Sequence, residues 1–309
     1  MSEISRRSLI TGVASLALSH RSLGSSRLEP AKPRSSFRFI HFTDLHIQPE
    51  LGAVDGVALA VSKIQTLRPR PDFILTGGDH VMDALRVSRP RADLQFKLFA
   101  EALRPLEMPT YSTVGNHDIY GWSDHSPALA QDPLYGKRMF EEHIAKAPIY
   151  RSFDFGGWHF IILDSIQSRG KGWYGAINDS QLTWLKDDLS KAGSAPKVVM
   201  THVPVLTLAP QYIDGTTKAP NDGFILANGK EVKELIQGKN VKVVLQGHTH
   251  VVEDCDYLGT RYVTGGAVCG DWWKGYRLGV HPEGFMVYDV KGSHITNEYV
   301  SYGWKAKLI

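Results

Sequence analysis

The chain has 309 residues, of which 42% are apolar and 22% charged, the proportions of a globular protein with a full core rather than of a disordered tract. Its 35 basic and 32 acidic side chains leave a formal charge of +3, too small an excess to imply a nucleic-acid or membrane-surface partner. Beyond the N-terminal segment no run is long and apolar enough to span a bilayer.

The N-terminal segment differs in kind from the rest. Arg6 and Arg7 precede an apolar run from Leu9 to Leu18, the layout of an export signal. Ser5, Arg6 and Arg7 match the start of a twin-arginine signal, whereas Leu9, Ile10 and Thr11 depart from it. An uncleaved anchor and an unstructured terminus are the alternatives. Ala17-Leu18-Ser19 offers a small-x-small cleavage site, and residues 1–34 read as signal plus linker before a domain over 35–309, with a periplasmic destination.

From Phe37 onward, strand-like runs alternate with helix-like ones, and each strand-like run ends in polar residues. "FRFIHFTDLH" ends at Asp44 and His46, and a helix follows from about Val54 to Leu67. "DFILTGGDH" ends at Asp79, "ADLQFKLFAEAL" has helical spacing, and "TYSTVGNHD" ends at Asn116, His117 and Asp118. Residues 119–148 read as a loop-rich insertion. "RSFDFGGWHFIILDS" predicts a hairpin around Gly156-Gly157, followed by a helix capped at Asn178 or Asp179. "PKVVMTH" is a strand ending at His202; a second loop-rich stretch, 203–229, leads to a short helix over 231–237 and to the strand "VVLQGHTHVV", ending in His248 and His250. The remainder reads as antiparallel strands. Pairing through the Leu258-Gly259 turn sets Cys255 opposite about Tyr262 and leaves Cys269 on the order of 20 Å away, beyond the roughly 7 Å that a disulfide spans between Cα atoms. Two free thiols are expected.

Strands alternating with helices predict an α/β protein whose strand-end residues gather along one edge. Those residues are carboxylates, imidazoles and an amide, donors suited to Mn, Fe, Zn, Co or Mg rather than to a soft metal. They outnumber the four ligands of a tetrahedral zinc site, which favours two ions. Gly77-Gly78, Gly115 and Gly247 precede them, where a missing side chain permits close backbone approach.

In order, the elements Asp44-x-His46, Gly78-Asp79, Gly115-Asn116-His117-Asp118, His202 and Gly247-His248-x-His250 resemble the calcineurin-like metallophosphoesterase family, over about Phe37 to Val251. The resemblance implies a four-layer sandwich of two mixed β-sheets flanked by helices. It implies that Asp44, His46 and His250 hold one metal, that Asn116, His202 and His248 hold the other, and that Asp79 bridges them. Two ions, Mn, Fe or Zn, would present a bridging hydroxide to phosphorus, and His117 would stabilise or protonate the leaving oxygen. A nearby carboxylate should orient His117; Asp83 is the first candidate and Asp118 the second, although the tightest versions of the family motif place that acid one position earlier.

The start of the motif looks most like the branch holding bacterial class III cyclic nucleotide phosphodiesterases and glycerophosphodiester hydrolases. A small-molecule phosphodiester is the expected substrate, with a phosphomonoester as rival. A non-catalytic metal-binding protein is the third reading; it predicts damage to Asp79, Asn116 or His117, and all are intact. Trp272, Trp273, Lys274, Tyr276 and Arg277, in "GGAVCGDWWKGYR", and Trp173 and Tyr174, in "KGWYG", are candidate substrate contacts, with lid or core packing the competing role for Trp272 and Trp273.

Overall fold

The structure, a computed structural model, describes residues 36–306. The export signal and linker expected over 1–34 lie outside the described residues. The chain runs through β1 (Ser36–Phe42), α1 (Ala53–Thr66), β2 (Phe73–Thr76), α2 (Arg89–Leu103) and β3 (Thr110–Ser112). After a short turn of helix, α3 (Arg138–Phe140), come the hairpin β4 (Arg151–Phe155) and β5 (Trp158–Ile162) and a second hairpin, β6 (Ile166–Arg169) and β7 (Gly172–Gly175). Then follow α4 (Asp179–Lys191), β8 (Lys197–Met200), α5 (Ala209–Ile213), α6 (Gly229–Ile236) and β9 (Val241–Gln246). The strands β10 (Val252–Tyr257), β11 (Thr260–Gly265), β12 (Gly284–Lys291) and β13 (His294–Ser301) complete the fold.

Two mixed sheets result. One has five strands in the order β13-β12-β1-β2-β3, the other six in the order β10-β11-β9-β8-β5-β4. The period-2 alternation of β1 divides its side chains between two cores. Phe37 and Phe39 point between the sheets, where Phe39 stacks on Phe73 and Tyr288 with centroids 5.2 and 4.8 Å away. Ile40 and Phe42 point outward against Val57, Ala60 and Ile64 of α1 and Phe96 and Phe99 of α2. The six-stranded sheet repeats the pattern. Val198, Met200, Val243 and Leu245 face the inter-sheet layer, while Val199 and Val244 meet Leu182 and Leu185 of α4 and Val232 and Ile236 of α6. Each fully buried aromatic or branched side chain contributes about 1.5–3 kcal/mol, and both faces of both sheets collect such residues. The expected four layers are present.

Asn178 caps α4, its side-chain oxygen accepting the Gln181 amide at 3.0 Å. Three features differ from the sequence reading. The last strands are not all antiparallel: β11 lies parallel to β9, and β12 crosses to the other sheet to pair with β1. The β6–β7 hairpin was not anticipated, and α5 sits inside the stretch read as loop. Cys255 does pair opposite Tyr262, and both cysteines are free. Among the described residues no helix is long and apolar enough to cross a membrane.

Candidate metal centre

Parallel pairing of β1 with β2 and β3, and of β5 with β8 and β9, points the carboxyl ends of these strands the same way within each sheet. Each end continues into a loop that carries polar groups: Asp44 and His46 after β1, Asp79 after β2, Asn116 after β3, His202 after β8, and His248 and His250 after β9. The loops are laced backbone to backbone. Asp44 and His46 donate to the carbonyls of Gly78 and Asp79, each at 3.0 Å, and Gly247 donates to that of His202, also at 3.0 Å. Across the sheets, the His248 amide donates to both carboxylate oxygens of Asp44 at 3.0 and 3.1 Å.

To turn side chains inward this sharply, the backbone enters the left-handed region at Asp44 (φ 56°), His46 (φ 44°), Asp79 (φ 51°), His248 (φ 72°) and His250 (φ 61°). Asp and His tolerate that region better than most residues, yet each such residue costs about 1–3 kcal/mol unless its surroundings hold it. The crossed hydrogen bonds do so. Gly115 is needed for a related reason: a methyl group there would collide with the amide and carboxylate of Asp79.

The side chains converge in two clusters. In the first, His46 Nε2 lies 3.0 Å from His250 Nε2, and His250 Nε2 lies 3.4 Å from Asp44 Oδ1. In the second, His202 Nε2 lies 3.2 Å from Asn116 Oδ1, with the ring of His248 5.1 Å from that of His202. Asp79 Oδ2 stands between them, 3.5 Å from His46 Nε2 and 3.2 Å from His202 Nε2. Ligands about 2.1 Å from a common ion sit roughly 3.0–3.4 Å apart at octahedral or tetrahedral angles. The distances fit two hard or borderline cations sharing Asp79.

The imidazole tautomers agree with that fit. His202 and His250 donate Nδ1–H to the carbonyls of Gly77 and Gly270, each at 2.8 Å, which turns Nε2 into the site. His248 is reversed: Nε2–H donates to Gly223 O at 2.8 Å, leaving Nδ1 buried and without a partner. A backbone carbonyl on the far nitrogen is how metal-ligating histidines are oriented. The carboxylates and imidazoles of the site also act on one another's charge. Burial works to raise Asp44, but the hydrogen bond and charge of His250, with His202, hold it down to about 2. Burial works to lower His202, but Asp79 outweighs it and pushes His202 up to about 9. At His248, burial followed by the charge of His202 outweighs Asp79 and Asp44 and lowers it to about 4.

His117 enters the same space. One ligand-type atom each of His46, Asp79 and His117 lie within 4.8 Å of one another. Its amide donates to Asp79 Oδ1 at 2.8 Å, and its Nδ1–H donates to the carbonyl of Met82 at 2.6 Å, so Nε2 is the free nitrogen. Neither carboxylate expected to orient His117 does so. Asp83 does not orient His117; its carboxylate accepts the Arg86 amide at 3.0 Å and faces the Arg86 guanidinium. Nor does Asp118, which takes the amides of Gly115 and His80 and Nδ1 of His80, each at 2.8 Å, and so braces the loop of Asp79. His80 was missed because its partner lies 38 positions away, and the Met82 carbonyl was missed because no side-chain pattern marks a backbone acceptor.

The tryptophans divide. Trp273 is 1% exposed, packs against Gly56 and Trp304 and donates Nε1–H to the carbonyl of His46 at 3.0 Å, so it is core and not a substrate contact. Trp272 is half-buried with its ring against those of His46, His250 and His117. Arg277 is engaged by Asp271 at 3.0 Å and Thr249 O at 3.3 Å, which makes it a brace between its own loop and the His248–His250 turn.

Among curated proteins, the chain is 29% identical over 216 residues to a 3',5'-cyclic-nucleotide phosphodiesterase of Nostoc sp., covering 67% of this chain and 69% of that protein. It is 26% identical over 223 residues to the glycerophosphodiester phosphodiesterase GpdQ of Enterobacter lignolyticus, covering 68% and 69% respectively. A solved structure of a dimetal phosphatase from Danio rerio superposes with a TM-score of 0.59 at 16% identity, covering 86% of this chain and 99% of that one, a likeness of fold. The family profile described as calcineurin-like phosphoesterase matches residues 37–252, and with the strand-end site in place the chain belongs to that family.

Proposed function

We propose that this metallophosphoesterase hydrolyses phosphodiesters at a dinuclear metal centre. The observation that carries the reading is the position of Asp79 Oδ2, within 3.5 Å of a site-facing nitrogen from each cluster. Asp44, His46 and His250 would hold one ion and Asn116, His202 and His248 the other, with Asp79 shared. When bound, two such ions supply a water acidic enough to attack near neutral pH and withdraw charge from the phosphoryl oxygens.

The chain's own residues supply the rest. Because Nδ1 of His117 is committed to Met82 O, its Nε2 is the atom that hands a proton to the departing ester oxygen. The same Asp79 carboxylate that lies between the clusters also fixes the His117 backbone, so metal holding and leaving-group chemistry share one support.

Two features favour a diester over a monoester. A monoester carries an additional negative charge and calls for further cationic donors, yet Arg277, the guanidinium bonded to the turn between His248 and His250, is already paired with Asp271. Both curated relatives named above are phosphodiesterases. With Mn-loaded protein, kcat/KM should be higher for bis(p-nitrophenyl) phosphate than for p-nitrophenyl phosphate; the reverse order would establish a phosphatase. Export through residues 1–34 is part of the proposal, and replacing Arg6 and Arg7 by Lys should leave the protein in the cytoplasm.

A further inference from the structure

Two aromatic rings stand at opposite ends of the row of candidate ligands. At one end the ring centroid of Trp272 is 4.1 Å from that of His46, 4.9 Å from His250 and 5.1 Å from His117. At the other, Trp173 meets His248 edge-on, 5.7 Å away at 90°, with Phe224 6.3 Å from the same imidazole. Between them the contacts run from His46 through Asp79 to His202 and His248.

Both rings are held for this placement. Trp272 has a left-handed backbone (φ 57°), a conformation strained for a bulky side chain, and the next residue, Trp273 (φ 66°), is locked in the core by its bond to His46 O. Trp173 sits on β7, whose end is tied to the 203–229 segment: Ala227 donates to Gly175 O at 2.8 Å. That segment also supplies Gly223 O, the acceptor for His248. Trp173 leans on the core between the six-stranded sheet and its helices, but neither ring is enclosed as Trp273 is, for both are half-buried.

Resting on the phosphodiesterase reading, we infer that the two rings sort the two ester arms of the substrate: Trp272 lies along the leaving arm and Trp173, with Phe224, along the retained arm. The assignment follows from His117. Hydrolysis forms a bond from water oxygen to phosphorus and breaks the bond from phosphorus to the leaving oxygen, which takes a proton from His117 Nε2. The leaving oxygen must therefore lie beside His117, at the Trp272 end. The retained arm then takes the other direction, over His202 and His248 toward Trp173. Diesters with a flat aryl or heterocyclic retained arm are the substrate class this favours, because a ring face or edge is what Trp173 and Phe224 present.

The test uses the full-length, Mn-loaded protein with bis(p-nitrophenyl) phosphate and ethyl p-nitrophenyl phosphate, which share a leaving group and differ only in the retained arm. Trp173→Ala should lower kcat/KM for the bis-aryl diester about tenfold more than for the ethyl diester, the scale of a lost aromatic stack, so that the ratio of the two substrates falls by that factor. Trp272→Ala should lower both in the same proportion. Trp173→Phe and Trp272→Phe should restore most of each loss at unaltered metal content, which separates contact with substrate from damage to the site. An unchanged substrate ratio in Trp173→Ala, with active wild type, overturns the sorting alone. A wild type that hydrolyses neither diester overturns the phosphodiesterase reading beneath it.

Discussion

The two sheets contribute unlike halves of the candidate centre. The five-stranded sheet ends in oxygen donors, Asp44, Asp79 and Asn116, with His46 beside them; the six-stranded sheet ends in imidazoles alone, His202, His248 and His250. Neither sheet by itself builds either cluster, since His46 closes on His250 and His202 on Asn116. The site is therefore also a junction. The carboxylates of one sheet lean on imidazoles of the other, which is why Asp44 is held down and His202 is pushed up. At the proposed centre, metal affinity and sheet-to-sheet cohesion would be coupled through the same atoms.

The sharpest way to break the junction is at the shared residue. Asp79→Asn should remove metal and activity together, with kcat/KM lower by at least about 10³-fold, on the scale of losing the electrostatic stabilisation of a transition state; metal content by mass spectrometry and turnover on bis(p-nitrophenyl) phosphate check it. Retained stoichiometric metal would show that the clusters do not depend on a shared carboxylate.

His117 belongs to the oxygen-rich side and is expected to act without holding metal. His117→Ala should keep its metal content and lose about 10²–10⁴-fold in kcat, the range of a missing general acid. The loss should shrink as the leaving group improves. Equal losses for alkoxide and p-nitrophenolate leaving groups would assign His117 to structure instead.

The coupling between sheets also gives the metal-free protein a characteristic dependence on pH. His202 is raised to about 9, so its contribution to stability is complete below the ordinary 6.5 and is lost as pH rises through 9. His248 is lowered to about 4, so its contribution is present above 6.5 and is lost as pH falls through 4. The chelated protein should melt highest near pH 6.5 and lower on either side. Manganese should flatten the alkaline arm, because the ion takes over the partner role of the proton. A Tm that rises or falls steadily from pH 4 to 9 under chelation would contradict the cross-sheet pairing.

The smallest effect is expected at Asp83. Because Met82 contributes a backbone carbonyl to His117 and Asp83 only an intra-loop bond, Asp83→Asn should change kcat/KM by no more than about twofold, as for surface changes away from special features. A loss as large as that of His117→Ala would restore the carboxylate to the role first read from the sequence.

Local sequence was enough to point at each strand-end residue. Asp44, Asp79, His202 and His248 each stand a few residues after an apolar run, and the glycines before Asp79, Asn116 and His248 mark turns that admit no Cβ. The β6–β7 hairpin went unread although Gly170-Lys171 between two short runs is a two-residue turn signal. Trp173 is legible in "KGWYG" as a candidate aromatic, but not the element that sets it beside His248. Trp272 and Trp273 are adjacent and chemically alike, and no pattern in "GDWWKG" separates the one that faces the histidines from the one that fills the core.

Local residue order carries the chemistry of each segment: periodicity that sets strands and helices, and donors placed where those elements stop. Folding settles which donors meet, that a backbone carbonyl rather than Asp83 or Asp118 orients His117, and which tryptophan borders the site. These depend on contacts between residues far apart in the chain and on backbone groups that every residue possesses, so no local pattern of side chains encodes them.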